Sequence, residues 1–263
     1  MVLESAAMFD KAADLYERYI GRYSPALARA LIAQAGVKPE DRVLDVGCGP
    51  GALTGQLIPI VGEHNVIAAD PSEQFVAGFK ERYPGVTVQV AYAETMPFPT
   101  ASVDVALAQL VVHFMTDAHA GVAEMRRITR RGGTLGAATW DYADGMTLLR
   151  KFWDAAIATD PASELQDENR MRYCTEDSLG QLWRDSGLED VIVKPADVSA
   201  SYASFDDLWE PLAAGVGPAG SYVIDLDPDR RTRLKEEFRR RLDVRDAPFE
   251  LSARAWLATG RNP

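Results

Sequence analysis

Short apolar runs alternate with amphipathic stretches through the first half of the chain. Apolar runs at residues 42–46, 65–69, 86–91, 103–109 and 134–139 predict strands. Between them, residues 52–61, 72–83 and 118–130 carry apolar side chains at helical spacing and predict helices. This alternation predicts a parallel sheet with helices on both faces, and right-handed crossovers favour a doubly wound order.

The pattern changes at both ends of the chain. Residues 10–35 predict helix, with Ser24-Pro25 as the start of a second one. After residue 140 we expect helices at 146–158, 175–187 and 228–241, a strand at 188–194 and a last strand from 249 to 260. We interpret residues 1–140 as the ligand-binding half. Residues 141–263 complete the sheet and carry insertions at 141–173 and 195–247 that form a cap on a single domain.

Composition narrows the class of partner. The 263 residues are 47% hydrophobic and 25% charged, which is ordinary for a globular protein, and no apolar run is long enough to cross a bilayer. The first residues lack a secretory signal and the chain has two cysteines, so we expect a cytoplasmic protein without a membrane partner. The net charge of −11 disfavours nucleic acid, and we interpret the arginine clusters at 126–131 and 239–241 as solvated helix faces.

Residues 43–54 carry the most informative motif. Gly47, Gly49 and Ala52 satisfy the pattern G-x-G-x-x-[GA] between a predicted strand and a predicted helix. Glycines let the backbone turn sharply and approach a ligand, and the following helix offers free N–H groups to it. A tight strand-to-helix turn without a ligand is the simpler alternative.

Two carboxylates sharpen the motif. Asp45 lies two residues before the first glycine, where it could accept a hydrogen bond from an ammonium group or a bridging water, whereas a pyrophosphate would be repelled there. Asp70 ends the second predicted strand about twenty residues after the glycines, a position from which a carboxylate binds ribose hydroxyls. A third segment, residues 93–104, reads Ala-Glu-Thr-Met-Pro-Phe-Pro-Thr-Ala-Ser-Val-Asp and leads into the fourth strand.

At these residues the chain resembles the class I S-adenosylmethionine-dependent methyltransferases, in particular the small-molecule enzymes of ubiquinone and menaquinone biosynthesis. The resemblance is strong over residues 42–139 and fades in the cap. It implies a Rossmann-like, doubly wound seven-stranded sheet with an antiparallel last strand and a helical cap insertion. It also implies S-adenosylmethionine as cofactor and methyl transfer to an O, N or C atom of a small-molecule acceptor.

The resemblance assigns residues to the cofactor. It places the methionine and ribose portion at the glycine turn and the adenine near Pro71. Family members commonly carry an Asp-Ala pair where this chain has Tyr92-Ala93-Glu94, so the backbone of Ala93 and Glu94 is expected to contact the adenine. The full predicted set is Tyr19, Arg22, Asp45, Gly47, Gly49, Gly51, Asp70, Pro71, Ala93, Glu94, Gln109 and Leu110.

Two of the implied roles have alternatives. Arg22 is expected to face the cofactor carboxylate, although a surface cation at a helix end would carry the same residue. His113 follows the fourth strand and is the candidate general base if the acceptor must lose a proton; a packed structural histidine is the alternative.

His113, Asp117 and His119 match no strong metal-ligand spacing, so we predict no metal site.

Two other functions compete with methyl transfer. A nicotinamide-dependent oxidoreductase would share the glycine pattern and Asp70, but Asp45 and the expected closing hairpin argue against it. A protein that keeps the cofactor fold without methyl transfer, as a binding module or a catalyst of another reaction, is compatible with every motif. The sequence does not indicate an oligomeric state.

Overall fold

The computed structural model describes residue 15, residues 17–245 and residues 247–263. The chain divides into two compact units. Residues 24–140, 172–196 and 255–263 form the sheet unit, and the described part of residues 1–23 with residues 141–171 and 197–254 forms the helical unit. Residues 10–14 and 16 of the predicted N-terminal helix lie outside the described residues.

The strands of the described chain form one seven-stranded sheet in the order β3-β2-β1-β4-β5-β7-β6. β1 pairs in parallel with β2 and β4, and β4 pairs in parallel with β5. β7 is antiparallel to β5, so the predicted doubly wound sheet with an antiparallel last strand is confirmed. The strands are β1 (Val43–Val46), β2 (Val66–Asp70), β3 (Thr87–Val90), β4 (Val103–Gln109), β5 (Thr129–Trp140), β6 (Glu189–Tyr202) and β7 (Phe249–Arg261).

Helices accompany the strands as the alternation predicted. Every residue of β1 and β2 is buried, as expected for central parallel strands that are covered on both faces. No helix of the described residues is long and apolar enough to cross a membrane. The helices are α1 (Ser24–Ala35), α2 (Thr54–Val61), α3 (Glu73–Arg82), α4 (Ala118–Ile128), α5 (Thr147–Thr159), α6 (Glu176–Asp185), α7 (Phe205–Ala213), α8 (Gly217–Asp225) and α9 (Pro228–Leu242).

Side-chain caps fix where the sheet-unit helices begin. Ser72 accepts a hydrogen bond from the Phe75 backbone N at 3.2 Å and starts α3. Asp117 accepts from the Ala120 N at 3.1 Å and starts α4, and Thr175 forms a capping box with Ser178 at the start of α6. Each cap satisfies a backbone N–H that has no partner within its own helix.

The predicted irregular segment at 195–247 begins inside a strand. β6 continues to Tyr202 and contains Pro195, which the sequence-based prediction treated as the end of the strand. β6 is the edge strand of the sheet, where a residue without an N–H group is tolerated because one side of the strand needs no partner.

Aromatic side chains form the core of the helical unit. The rings of Phe152 and Trp153 in α5 lie 5.1 Å apart, and Phe152 lies 5.5 Å from Phe238 in α9. Tyr222 in α8 lies 5.7 Å from Trp153. These edge-on and tilted contacts are typical of packed aromatic cores, so these rings hold α5, α8 and α9 together.

Candidate functional site

The glycine turn follows β1 and contacts the end of β2. Backbone N–H groups of Gly47 and Cys48 both donate to the Ala69 carbonyl, at 2.7 and 3.0 Å. Gly47 has a φ of +66°, and a Cβ atom there would lie 2.5 Å from the Val111 side chain. Only glycine fits this position without displacing Val111, so the requirement for glycine is both conformational and steric.

Asp70 joins the glycine turn to the start of α3. Its Oδ2 accepts from the Gly49 N at 2.8 Å, and its Oδ1 accepts from the Ser72 N at 2.9 Å. Burial raises the pKa of Asp70, and the two backbone hydrogen bonds partly oppose that shift. Each carboxylate oxygen keeps a further lone pair, so Asp70 can still accept hydrogen bonds from ligand hydroxyls.

Asp45 is the most deeply buried carboxylate of the site. Its Oδ2 accepts from the Thr54 hydroxyl at 2.6 Å and from the Thr54 backbone N at 3.1 Å. Asp45 therefore caps α2 from the neighbouring strand, because Leu53 at the helix start supplies no side-chain cap. Sequence reasoning selected Asp45 but missed Thr54, for which the hydroxyl at the helix start was the available signal.

Burial raises the pKa of Asp45 to about 7, although the hydrogen bonds from Thr54 oppose the shift. A carboxyl whose folded pKa exceeds its unfolded value contributes stability below the unfolded pKa, and this contribution is lost as the pH rises through the folded pKa. Asp45→Asn should therefore leave stability near pH 4 almost unchanged. It should stabilise the unliganded protein near pH 8 by up to a few kcal/mol, since one pKa unit corresponds to about 1.4 kcal/mol.

Asp104→Asn is a control variant whose thermal stability should change in the opposite direction, because the pKa of Asp45 is raised and that of Asp104 is lowered. Burial alone would raise its pKa, but hydrogen bonds from the Arg42 backbone and the Arg130 guanidinium outweigh burial and lower the pKa. Asp104→Asn should lose stability near neutral pH, where Asp45→Asn should gain it. If Asp45→Asn also lowered the melting temperature near pH 8, the buried carboxylate would not be a source of instability.

A cleft beside the glycine turn brings together four residues of the predicted set: Gly47, Pro71, Ala93 and Glu94. The side chain of Glu94 accepts from the Asp117 backbone N at 3.2 Å. Tyr92 and Phe114 also line the cleft, although the sequence-based prediction did not assign them to the cofactor. The complete lining is Val46, Gly47, Ala69, Pro71, Ala91, Tyr92, Ala93, Glu94, Val111, Phe114, Met115 and Thr116.

The end of β4 turns sharply after Gln109. The Gln109 side-chain amide donates to the Ser24 carbonyl at 3.2 Å. Leu110 adopts a φ of +61°, and its backbone N donates to the Ala138 carbonyl at 2.8 Å. This conformation costs a residue with a side chain about 1–2 kcal/mol, so the surrounding contacts hold the turn. Gln109 and Leu110 are not among the residues that line the cleft.

His113 lies in the single turn that follows, Val112–Phe114. Its side chain is buried, and burial lowers its pKa to about 4, so the imidazole is neutral at physiological pH. Its ring centroid lies 4.1 Å from that of Phe114. His113 therefore packs behind a residue of the cleft lining.

Tyr19 and Arg22 belong to the helical unit. The Tyr19 carbonyl accepts from the Tyr202 hydroxyl at 3.1 Å, and Arg22 forms a 2.7 Å ion pair with Asp207. Arg22 also donates to the Ser201 carbonyl at 2.8 Å. These contacts engage the guanidinium within its own unit, and the expected contact of Arg22 with a cofactor carboxylate stays a prediction.

In the part of the chain that the structure describes, no group of three or more His, Cys, Asp or Glu residues could hold a metal ion. Cys48 and Cys174 are both buried thiols. Burial raises the pKa of the Cys48 thiol within the glycine turn, with the nearby charges of Asp45 and Asp70 adding to the shift. Cys48 is thus an unreactive packed side chain.

The methyltransferase domain family matches residues 44–137, the segment from β1 into β5 that holds the glycine turn, Asp70 and the cleft. The chain is 30% identical over 182 residues to the ubiquinone/menaquinone biosynthesis C-methyltransferase UbiE of Shewanella piezotolerans, which covers 62% of this chain and 72% of that enzyme. It is 29% identical over 201 residues to the malonyl-[acyl-carrier protein] O-methyltransferase of Enterobacter lignolyticus, covering 76% of each.

Coverage of other relatives is lower. The chain spans 32% of an uncharacterised transposon protein of Streptomyces fradiae and 39% of an uncharacterised methyltransferase of Schizosaccharomyces pombe, at identities of 34% and 31%.

Solved structures share the fold at low identity. A Bacillus halodurans protein aligns with a TM-score of 0.59 and 18% identity, over 90% of this chain and 98% of that one. An N-methyltransferase of Haemonchus contortus, bound to phosphomonomethylethanolamine and S-adenosylhomocysteine, aligns with a TM-score of 0.57 and 16% identity, over 90% of this chain and 52% of that one. The [4+2]-cyclase SpnF aligns with a TM-score of 0.57 and 19% identity, over 90% and 81%.

The similarity to UbiE extends well beyond the glycine turn, over 182 residues. The sheet topology is consistent with a methyltransferase fold, because the antiparallel pairing of β7 with β5 distinguishes it from a purely parallel nicotinamide-binding domain. The chain therefore belongs to the class I S-adenosylmethionine-dependent methyltransferases, within which it resembles the enzymes of the ubiquinone and menaquinone biosynthesis type.

Proposed function

We propose that the ends of β1 and β2 hold S-adenosylmethionine, with Asp70 on the ribose hydroxyls and Asp45 with the glycine turn at the methionine and ribose portion. The 2.8 Å hydrogen bond from the Gly49 N to Asp70 carries this proposal. It brings the turn and a buried carboxylate together at the carboxyl edge of the strands, where open α/β sheets bind ligands. Two carboxylates suit a cofactor that carries ribose hydroxyls and an amino group, because both groups donate hydrogen bonds.

The remaining residues of the predicted set extend this site. Pro71, Ala93 and Glu94 line one cleft, which supports the proposal that they contact the adenine. Gln109 ends β4, which pairs with β1 in the sheet, and Leu110 follows directly, which supports a role of both along the methionine portion. The roles of Gly51, Tyr19 and Arg22 at the cofactor are proposed from the family resemblance alone.

The chemistry requires little from the protein. The sulfonium of the bound cofactor supplies a methyl group that is already activated towards displacement. The residues of the site then have to align the acceptor with that methyl group and exclude water, and alignment alone accounts for a large part of such rate enhancements. A general base is needed only when the acceptor loses a proton during attack.

The acceptor that we propose is a small molecule. The net charge of −11 supports this choice, because it disfavours the phosphate backbone of a nucleic acid. We also propose a cytoplasmic location, which the two buried thiols of Cys48 and Cys174 support, because thiols are kept reduced in that compartment.

Cofactor labelled on its methyl group tests the acceptor class. The purified protein is incubated with it and a cell extract, and label is then measured separately in small molecules, protein and nucleic acid. We expect label in the small-molecule fraction, and none with a heat-inactivated sample. Label confined to protein or nucleic acid would refute the proposed acceptor class.

The same labelling experiment also tests the alternative that the protein binds the cofactor but does not transfer its methyl group. The [4+2]-cyclase SpnF has the same fold, and one fold can host several chemistries, so catalysis of a reaction other than methyl transfer is the specific alternative. Binding of S-adenosylhomocysteine combined with no transfer of label to any fraction would favour it.

The general-base role of His113 can be separated from a packing role. Because the imidazole is buried and its pKa lies near 4, it is a poor proton acceptor, and we expect His113→Gln to lower the melting temperature while turnover per folded molecule stays nearly unchanged. Both quantities are measured on one sample. A variant with a normal melting curve and turnover reduced by about 10²- to 10⁴-fold would instead establish His113 as the base.

A further inference from the structure

Tyr83 follows α3 and packs against the glycine turn. Its hydroxyl donates to the Gly51 carbonyl at 3.2 Å, across 32 residues of the chain. The same carbonyl accepts from the Gly55 backbone N at 2.9 Å, in the first turn of α2. The centroid of the Tyr83 ring lies 5.1 Å from that of Phe79 and 5.6 Å from the guanidinium carbon of Arg82. The C-terminal end of α3 is thus joined directly to the end of the glycine turn.

Two glycines leave room for the Tyr83 ring. A Cβ atom at Gly51 would lie 2.3 Å from Tyr83 Cε2, and one at Gly55 would lie 2.7 Å from the Tyr83 hydroxyl oxygen. Both distances are shorter than a non-bonded contact allows, so a side chain at either position would displace part of Tyr83. The ring and the backbone around it are therefore fitted to each other.

The glycine turn has a contact at each end of α3. Before the helix, Asp70 accepts from the Gly49 N at 2.8 Å; after it, Tyr83 donates to the Gly51 carbonyl. These two contacts restrict the conformation of the turn before a ligand binds. Tyr83 is not among the residues that line the cleft beside the turn, so we expect it to affect a ligand through the turn and without touching it.

We propose that Tyr83 is a positioning residue of the cofactor site, which holds the glycine turn in its binding conformation through Gly51. The proposal rests on the proposed cofactor site. A binding surface that is already ordered loses less conformational entropy when the ligand arrives, so a contact that orders the turn raises the affinity. Gly51 then serves the site by leaving space for the Tyr83 ring.

Calorimetry with S-adenosylhomocysteine on the full chain, well below the melting temperature, tests the role of Tyr83. Tyr83→Ala should weaken binding by about 10- to 50-fold, because the turn loses its contact with the end of α3. Tyr83→Phe keeps the ring and loses one neutral hydrogen bond, so it should weaken binding by only about three- to tenfold. Val76→Ala removes a buried side chain from the same helix and is the control. It should lower the melting temperature and leave the affinity unchanged.

Gly55→Ala tests the same contact from the side of α2. The new Cβ atom should displace the Tyr83 hydroxyl from the Gly51 carbonyl and weaken binding about as much as Tyr83→Phe does. In the Tyr83→Phe background the same substitution should have no further effect on affinity. The next nearest atom of residue 83, Cζ, lies 3.7 Å from the added Cβ, which is an ordinary contact distance.

The outcomes separate positioning from packing. Unchanged affinity of Tyr83→Phe and Gly55→Ala, or equal losses from Gly55→Ala in both backgrounds, would overturn the inference, and neither result depends on whether Tyr83→Ala folds. A Tyr83→Ala variant that folds and binds S-adenosylhomocysteine as tightly as the wild type would overturn it as well. A wild-type protein that fails to bind S-adenosylhomocysteine would overturn the proposed cofactor site itself, so the two failures are distinguishable.

Discussion

Replacing Gly47 with alanine is expected to destabilise the protein by about 2–5 kcal/mol and to impair cofactor binding. The left-handed φ of +66° costs a residue with a Cβ atom about 1–2 kcal/mol. The new Cβ would lie 2.5 Å from Val111 Cγ2, and overpacking of this kind costs about 1–3 kcal/mol more. Because Gly47 and Val111 both line the cleft, the displacement needed to relieve the clash would change the proposed binding surface.

Gly49→Ala is a matched control that isolates the cost of the left-handed backbone from the steric clash of Gly47→Ala. Its φ is +50°, but no heavy atom lies within 4 Å of an added Cβ, so only the backbone cost of about 1–2 kcal/mol should appear in urea unfolding. In the double variant Gly47→Ala/Val111→Ala, part of the steric destabilisation should be recovered. The double-mutant cycle would then show a non-additive interaction energy between positions 47 and 111. Equal losses for the two glycine variants, with no recovery, would show that the Val111 contact does not restrict position 47.

Replacing Asp70 with alanine is expected to weaken binding of S-adenosylhomocysteine by about 10- to 100-fold. The loss corresponds to about 1.5–3 kcal/mol for charge-assisted hydrogen bonds to the ribose. The variant should still fold, with a lower melting temperature because the N–H groups of Gly49 and Ser72 lose their acceptor. Calorimetry measures the affinity, and thermal unfolding on the same sample reports the fold.

The control for Asp70 is Asp104→Ala. Asp104 also accepts from a backbone N, that of Arg42 at 2.7 Å, but it lies near the start of β4, at the opposite edge of the parallel sheet. Its replacement should lower stability and leave affinity unchanged. A dissociation constant that Asp70→Ala leaves unaltered would remove Asp70 from the cofactor site.

Much of the sheet unit was predictable because its signals are local. Strand length, helix caps and glycine positions are each encoded within a few residues, and chain alternation with right-handed crossovers then determines a small set of sheet orders. Because the carboxyl ends of parallel strands meet at one edge, the ends of β1 and β2 could be brought together from the sequence before any contact was known.

Contacts between distant segments were not predictable. Val111 limits the side chain at position 47, yet 64 residues separate them and no periodicity relates them. Tyr92 and Phe114 lie in turns, where no helix or strand period predicts which way a side chain points. Arg22 was predicted at the cofactor, while its guanidinium pairs with Asp207, which is 185 residues away in the chain.

Burial also determines the protonation of residues that the sequence selected as candidates. His113 was a reasonable base by position, but its burial holds the pKa near 4, far from the operating range of a general base. Asp45 was predicted at the site from its position two residues before the first glycine, whereas its pKa of about 7 depends on a depth of burial that sequence position does not specify.

A crystal structure of the protein with S-adenosylhomocysteine would show whether the ends of β1 and β2 hold the cofactor. We expect the ribose hydroxyls within about 2.5–3.0 Å of the Asp70 carboxylate, beside the glycine turn, and the purine in the cleft lined by Pro71, Tyr92 and Phe114. A ligand bound elsewhere, or bound here with its ribose turned away from Asp70, would contradict it.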